Sequence, residues 1–361
     1  MKVTSLKVLH NGALVGKLID AGDGTIAFHY SPDWLASGFS ISPFSLPLED
    51  KTFVCKKQTF GGLYGVFWDT LPDGWGELLI KRALAKNGVD YDRLTPLTKL
   101  SIISRNGLGG LTYEPADPVV VTSREMTFDE LSYEANLVLN NAGGDLDTIF
   151  ALGGGSGGAR PKAHLDIDGE EWIVKFPCSI DPEDVGIKEF SANEKAKECG
   201  ININEYRLFP SSICSGYYGA KRFDRAGGKR VHVISLAAIL ETTHRIPNLD
   251  YQHLFQVIRA ICPDPEDTYE AFRRACFYVL YGNKDDHSKN FAFVYDEKDN
   301  FYRLSPAFDV TRTDYKAEHE MTVNGNGKPT VEDLVALAET FSLSKKRYKE
   351  ILDKVISVCQ E

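Results

Sequence analysis

Asp285 and Asn290 are the residues whose types and spacing point most directly to chemistry. They stand five positions apart in the run Gly282-Asn283-Lys284-Asp285-Asp286-His287-Ser288-Lys289-Asn290-Phe291-Ala292-Phe293. An aspartate followed at that distance by an asparagine is the spacing of a phosphoryl-transfer catalytic loop. There the aspartate takes the proton of the acceptor hydroxyl, and the asparagine holds a magnesium ion. A further aspartate, in Pro306-Ala307-Phe308-Asp309-Val310, stands where a second magnesium ligand would come. Phosphoryl transfer needs such a set because its transition state spreads negative charge over the transferred group. Asp and Asn abound in loops, so the spacing carries weight only with its setting. An apolar helical stretch, Ala271 to Tyr281, runs into this loop, and a run of strand type, Phe291 to Tyr295, follows it. A crowd of polar groups between two apolar elements is where a scaffold presents functional side chains.

The same chemistry needs a phosphate cradle and a lysine. Leu152-Gly153-Gly154-Gly155-Ser156-Gly157-Gly158-Ala159-Arg160-Pro161-Lys162 supplies glycines at the G-x-G-x-x-G spacing, on Gly153, Gly155 and Gly158. A dinucleotide site would continue into a helix. Here Pro161 intervenes and Ala163 to Ile167 alternates like a strand, while Pro161 before Lys162 and Ala163 after it break the Walker A pattern. A Gly-rich loop feeding a strand fits a kinase-type phosphate cover. Asp168-Gly169 reads as a two-residue hairpin turn. The second strand, Glu171 to Phe176, carries Lys175, placed like the lysine that grips the α- and β-phosphates of ATP. Its carboxylate partner would come from the helix Lys188 to Gly200, with Glu189 the first choice and Glu194 the second.

The elements that must position these groups fall into three stretches. The first hundred residues are strand-rich: Leu6 to His10, an Asn11-Gly12 turn, Ala13 to Ile19, then Thr25 to Tyr30. A helix is expected from Asp73 to Ala85, with Trp75 as a packing anchor, and Thr127-Phe128-Asp129-Glu130 is a capping box. After Asp250 the pattern turns helical: Tyr251 to Ile261, Thr268 to Tyr281, Val331 to Phe341 and Lys345 to Cys359. Pro115, Asp117 and Pro118 suggest a boundary near residues 113–127. With 361 residues and 43% hydrophobic content, the chain can bury sizeable cores in two or three lobes. A net charge of −10 argues against a broad nucleic-acid-binding surface. Seven cysteines, an odd number without a C-x-x-C pair, fit a reducing cytoplasm and no zinc site. The first residues, Met1-Lys2-Val3-Thr4, lack the apolar core of a signal peptide, and no apolar run approaches a membrane span, so no membrane association is expected.

In order along the chain, Leu71-Pro72-Asp73-Gly74-Trp75-Gly76, Gly157 to Lys162, Lys175, Arg222-Phe223-Asp224-Arg225, Asp285 to Asn290 and Phe308-Asp309-Val310 form a specific set. With this set the chain resembles the HipA family of bacterial Ser/Thr kinases, the toxin halves of type II toxin–antitoxin modules. The resemblance covers nearly the whole sequence. It implies an α+β fold, two-lobed and protein-kinase-like, with a strand-rich N-terminal region and an all-helical C-terminal lobe. The expected divisions are 1–115 for the N-terminal subdomain, 116–249 for a mixed nucleotide-binding region and 250–361 for the helical lobe with the catalytic loop.

The resemblance also implies roles. Gly157, Gly158, Ala159, Arg160, Pro161 and Lys162 would lie against the phosphates of ATP, with Lys175 and its partner Glu189 close by. Lys221, Arg222 and Phe223 look like the hinge facing adenine. Asp285 would be the base and His287 would shape its loop, with Ser288 and Lys289 beside the nucleotide. Asn290 and Asp309 would hold Mg2+, and Phe308 would flank them. Family members phosphorylate a serine in their own phosphate loop, which ejects the loop and stops the kinase. Aligned on Gly-Ala-x-x-Lys, that serine falls on Gly155 here, and the neighbouring Ser156 is the candidate for autophosphorylation. Lys221 stands where an acidic residue is common. The implied activity is an ATP/Mg-dependent Ser/Thr protein kinase, a toxin acting on a translation-related protein such as an aminoacyl-tRNA synthetase. Its implied partner is a small helix-turn-helix antitoxin, with DNA reached only through that antitoxin. A small-molecule kinase on a related scaffold shares the Asp-to-Asn spacing. A corepressor that chiefly binds a DNA-bound antitoxin is the reading from another class.

Overall fold

In a computed structural model, residues 2–22 and 24–360 are described; Met1, Asp23 and Glu361, which fall in the expected first and last divisions, lie outside the described residues. The chain divides into two compact units, Met1–Ile187 with Glu205–Val233, and Lys188–Asn204 with Ile234–Glu361.

The first unit is built on two antiparallel sheets. One has five strands in the order Phe53–Val54, Thr25–Tyr30, Ala13–Gly22, Ser5–His10, Leu111–Glu114. Alternation along Ser5–His10 buries Leu6 and Val8 and leaves Ser5 and Lys7 exposed, as one-sided burial of a strand demands. The other sheet runs Lys162–Ile167, Glu170–Lys175, Tyr217–Lys221, Tyr206–Phe209. Its first hairpin turns on Asp168 at φ 57° and Gly169 at φ 79°, a left-handed pair that matches the twist of the strands it joins. This sheet packs on the helices Gly74–Ala85, Phe128–Leu139 and Leu146–Gly153. Trp75, Leu79, Ile149, Phe150, Trp172 and Tyr217 form the centre of that core. The helix Phe128–Leu139 starts with the expected capping box, Thr127 and Glu130 bonding each other's backbone amides. The first unit continues through residues 113–127 without closing there.

The second unit carries the helices Tyr251–Ile261, Pro265–Tyr281, Val331–Thr340 and Lys345–Gln360, close to the spacing-derived bounds. Pro265–Tyr281 is the central one. It opens on Asp264, whose carboxylate accepts from the Glu266 amide at 2.9 Å, with Pro265 in its first turn. It buries Ala271, Phe272, Ala275, Cys276, Phe277 and Tyr278, so it is enclosed on most faces. The all-helical expectation for residues 250–361 is corrected here. Ala292–Asp296 and Phe301–Leu304 form an antiparallel hairpin, paired from Phe293 with Leu304 to Asp296 with Phe301. The first of these strands coincides with the strand-type run Phe291 to Tyr295. Among the described residues no helix is long and apolar enough to cross a membrane.

Candidate functional site

The second unit presents the catalytic-loop candidates at the end of its central helix. Gly282 terminates that helix in the left-handed conformation, φ 85°, where a side chain would be strained. Its amide and that of Asn283 both donate to the Tyr278 carbonyl, at 3.0 and 2.9 Å. The chain then passes through Asp285 and Asp286 into a short turn, Ser288–Asn290, and on into the hairpin strand Ala292–Asp296.

Adjacent aspartates have opposite environments. Asp286 has a fully buried side chain. Oδ2 accepts from the Tyr251 hydroxyl at 2.8 Å and lies 2.8 Å from His319 Nδ1, while Oδ1 accepts from the Glu320 amide at 2.9 Å. Asp285 keeps 36% of its side chain exposed. Its Oδ1 is bonded by the Lys316 ammonium, which also donates to Glu320 Oε1 at 2.6 Å. Burial draws the Lys316 ammonium toward neutrality, but its bonds to Asp285 and Glu320 outweigh that and hold it above the ordinary lysine range. Asn290 Nδ2 donates to the Asp285 backbone carbonyl at 2.8 Å, closing the loop across the five-residue spacing. His287 caps the short turn, and its ring lies 5.0 Å from that of His244. Ser288 is buried and Lys289 half-buried.

The segment bearing Phe308 and Asp309 is held from the other side. Ala307 donates to the Asn202 carbonyl at 2.8 Å, and Asn193 Nδ2 reaches the Val310 carbonyl at 3.3 Å. Arg274, buried in the central helix, bonds Glu270 at 2.9 Å and the Ser305 carbonyl at 2.6 Å. Asp309 itself has φ 56°, a left-handed conformation unusual for a residue with a side chain. The donors here fit magnesium. Asn290's amide nitrogen is committed to a carbonyl, so its amide oxygen is the atom that would face a metal, with the Asp309 carboxylate as the other candidate. Hard oxygens suit this ion, which uses one or two protein ligands plus phosphates and waters. Among the described residues no cluster of three or more His, Cys, Asp or Glu could form an all-protein metal cage. Glu189 lies in this unit, buried on the helix Val185–Glu198.

The first unit carries the remaining candidates. The Gly-rich loop leaves the helix Leu146–Gly153 and is clamped by the start of the helix Gly74–Ala85. Asp73 Oδ1 accepts from the Gly158 amide at 2.5 Å, the Trp75 amide donates to the Gly158 carbonyl at 2.7 Å, and Trp75 Nε1 donates to the Lys162 carbonyl at 3.0 Å. Trp75 is thus the expected anchor, with its indole tying the loop's exit strand. A Cβ on Gly76 would stand 2.2 Å from the Ser156 carbonyl oxygen, so the close approach requires glycine. Lys162 Nζ donates to the Gly157 carbonyl at 2.5 Å, and Arg160 bonds Asp181 through Nε and, at 2.7 Å, through an η nitrogen. Ala159 is exposed and Pro161 buried. Ser156 is fully buried, its hydroxyl donating to Gly153 at 2.6 Å. Lys175 ends its strand with Nζ 5.7 Å from the Tyr218 ring centre.

In the hinge candidate, the Lys221 amide donates to Glu205 and the Arg222 amide to Glu171, both at 2.8 Å. The Arg222 guanidinium is buried and forks onto Asp224 at 2.8 and 2.7 Å. Burial works against the Asp224 carboxylate, but Arg222 and Arg225 outweigh it and hold it well below the usual carboxylate range. Arg222 is therefore an architectural side chain. Lys316, Asp73 and His319 escaped sequence reasoning as site residues. Each acts across a long chain separation, with no local spacing to mark it.

The whole-chain fold has a solved counterpart. A chain of the Shewanella oneidensis MR-1 toxin–antitoxin complex of HipA, HipB and operator DNA superposes with a TM-score of 0.73. The match covers 98% of this chain and 88% of that one, at 20% identity. Two Sinorhizobium fredii proteins are similar in sequence. "Putative kinase Y4dM" is 29% identical over 49% of this chain and 48% of its own length. "Putative kinase Y4mE" is 25% identical over 87% of this chain and 78% of its own length. The match thus spans about half of the first relative and over three-quarters of the second. The profile of the HipA N-terminal domain matches residues 6–114 and that of the HipA-like C-terminal domain matches residues 154–361, and this chain belongs to the HipA family.

Proposed function

We propose that this chain is an ATP- and magnesium-dependent serine/threonine protein kinase of HipA type, the toxin of a toxin–antitoxin pair, acting in the cytoplasm on a translation-related protein. The observation that carries the reading is the division of labour at Asp285 and Asp286. Asp286 is locked by three partners, while its neighbour is presented with one carboxylate oxygen held and the loop closed by Asn290. A base positioned this way, followed by an amide ligand and a second carboxylate, is what phosphoryl transfer requires. The acceptor hydroxyl gives its proton to Asp285. Asn290 and Asp309 are the residues that would hold magnesium, which supplies neutralising charge when bound. Lys175, Lys162 and the Gly157–Lys162 backbone are the phosphate-side candidates.

Support for an antitoxin partner comes from the Shewanella counterpart, which is complexed with HipB and operator DNA. The net charge of −10 favours reaching DNA through such a partner. The test incubates the full chain with γ-labelled ATP and a phosphatase-treated bacterial extract, with magnesium or with a chelator. Magnesium-dependent label on protein serine or threonine is expected. Label confined to small molecules would favour a small-molecule kinase, and no transfer at all would leave the corepressor reading.

A further inference from the structure

The segment 314–320 matches no motif, yet it is fastened to the catalytic loop at several points. Lys284 Nζ donates to the Lys316 carbonyl at 2.8 Å. The Glu320 amide donates to Asp286 Oδ1 at 2.9 Å, and His319 Nδ1 lies 2.8 Å from Asp286 Oδ2. Between these ties the Lys316 ammonium sits on Asp285 Oδ1 and on Glu320 Oε1. Glu320 therefore does two jobs: its backbone holds the buried Asp286 and its side chain holds the cation. Here backbone groups of both Lys316 and Glu320 are bonded to the loop, so the ammonium has a fixed address.

We propose that Lys316 is a positioning residue for Asp285. This rests on the kinase reading above. The ammonium pins Oδ1, and among the described residues no hydrogen bond reaches Oδ2. Oδ2 is then the proton acceptor. As the acceptor oxygen forms its bond to the γ-phosphorus, its proton passes to Oδ2. The bond from that phosphorus to the β,γ-bridging oxygen breaks, and ADP leaves with the electron pair. Without the cation the carboxylate rotates between rotamers, and a misplacement of about 1 Å costs on the order of 100-fold in rate. Glu320 keeps the ammonium from following the carboxylate, because it holds the cation from a second side. No spacing rule marks Lys316, which is why the sequence did not single it out.

The test uses the full chain with γ-labelled ATP, magnesium and a phosphatase-treated bacterial extract as acceptor mixture. Wild type, Lys316→Met, Lys316→Arg and Asp285→Asn are compared for apparent kcat, KM for ATP and melting temperature. Lys316→Met is expected to lower kcat roughly 10- to 100-fold while KM for ATP moves less than about threefold, the pattern of a lost transition-state contribution. Lys316→Arg, which keeps the charge, is expected to recover most of the rate. An active wild type, an inactive Asp285→Asn and an unchanged Lys316→Met would overturn this inference and leave the kinase reading standing. Equal losses in the Met and Arg variants that track a falling melting temperature would reduce Lys316 to a structural staple and also overturn it. A wild type without transfer would remove the kinase reading, and this inference with it.

Discussion

The Gly-rich loop of the first unit and the catalytic loop of the second are both polar turns between apolar elements, but they distribute anchoring differently. In the catalytic loop one residue anchors and its neighbour is presented: Asp286 is locked, and Asp285 keeps an oxygen open. In the Gly-rich loop the candidate ligand groups are themselves the anchors. The Gly158 amide is bonded to Asp73, Lys162 to the Gly157 carbonyl, and Arg160 to Asp181. A ligand phosphate can use the Gly158 amide only by replacing the Asp73 carboxylate. On the proposed function, the Asp285 loop is set in advance, whereas a phosphate at the Gly-rich loop would have to displace these partners.

The largest expected effect tests the anchor. Asp286→Ala removes a buried carboxylate and strands the Tyr251 hydroxyl, the His319 ring and the Glu320 amide. Breaking such a network costs about 3–5 kcal/mol. Denaturant unfolding should show it, and a loss under about 1 kcal/mol would mean Asp286 is not the anchor.

Acid should act on the first unit. Burial, aided by the Arg222 charge, pushes His164 down to about 3, and burial with His10 nearby pushes His232 to about 3, from an ordinary value of 6.5. Between those values the unfolded chain binds protons that the folded chain refuses, so stability is lost as pH falls below 6.5 toward 3. At about pH 5 the loss is on the order of 2 kcal/mol for each histidine. Melting curves near pH 7.5 and pH 5 should separate accordingly, and His232→Gln should narrow the gap. Equal melting at both pH values would contradict the burial argument.

The smallest expected effect concerns the loop's missing serine. A Cβ on Gly155 would stand 2.0 Å from the Asn106 carbonyl oxygen. Gly155→Ser should therefore destabilise by roughly 1–3 kcal/mol, the cost of overpacking. A variant as stable as wild type would show that the loop can shift, and that installing a serine at this position is open to the chain. With Ser156 buried against Gly153, label on Ser156 in the wild type would require the loop to leave its seat.

What was legible in the sequence follows from the range of each signal. The Asn11-Gly12 and Asp168-Gly169 turns, the Thr127–Glu130 cap and the helix Tyr251–Ile261 are local, and the structure has them. Of the hairpin after Asn290 only its first strand, Phe291 to Tyr295, has a local signal in the sequence; its partner Phe301–Leu304 does not follow from that run. The Asp285-to-Asn290 spacing was readable because one hydrogen bond closes it. Asp73 holding Gly158, and Lys316 holding Asp285, were not readable, since each joins segments that the sequence keeps far apart. The hinge expected at Lys221 to Phe223 rests on chain position alone, and no pattern reveals that the Arg222 side chain is locked onto Asp224.

On the proposed mechanism Asp285 acts and Asp286 holds. Asp285→Asn and Asp286→Asn should be compared with wild type for ATP binding by calorimetry, phosphotransfer and melting temperature, at a temperature where all three are folded. Asp285→Asn is expected to melt and bind ATP like wild type while transfer falls by roughly two or more orders of magnitude, the contribution of a positioned general base. Asp286→Asn is expected to melt earlier and retain far more transfer than its neighbour. An inactive Asp286→Asn beside a near-wild-type Asp285→Asn would contradict the account.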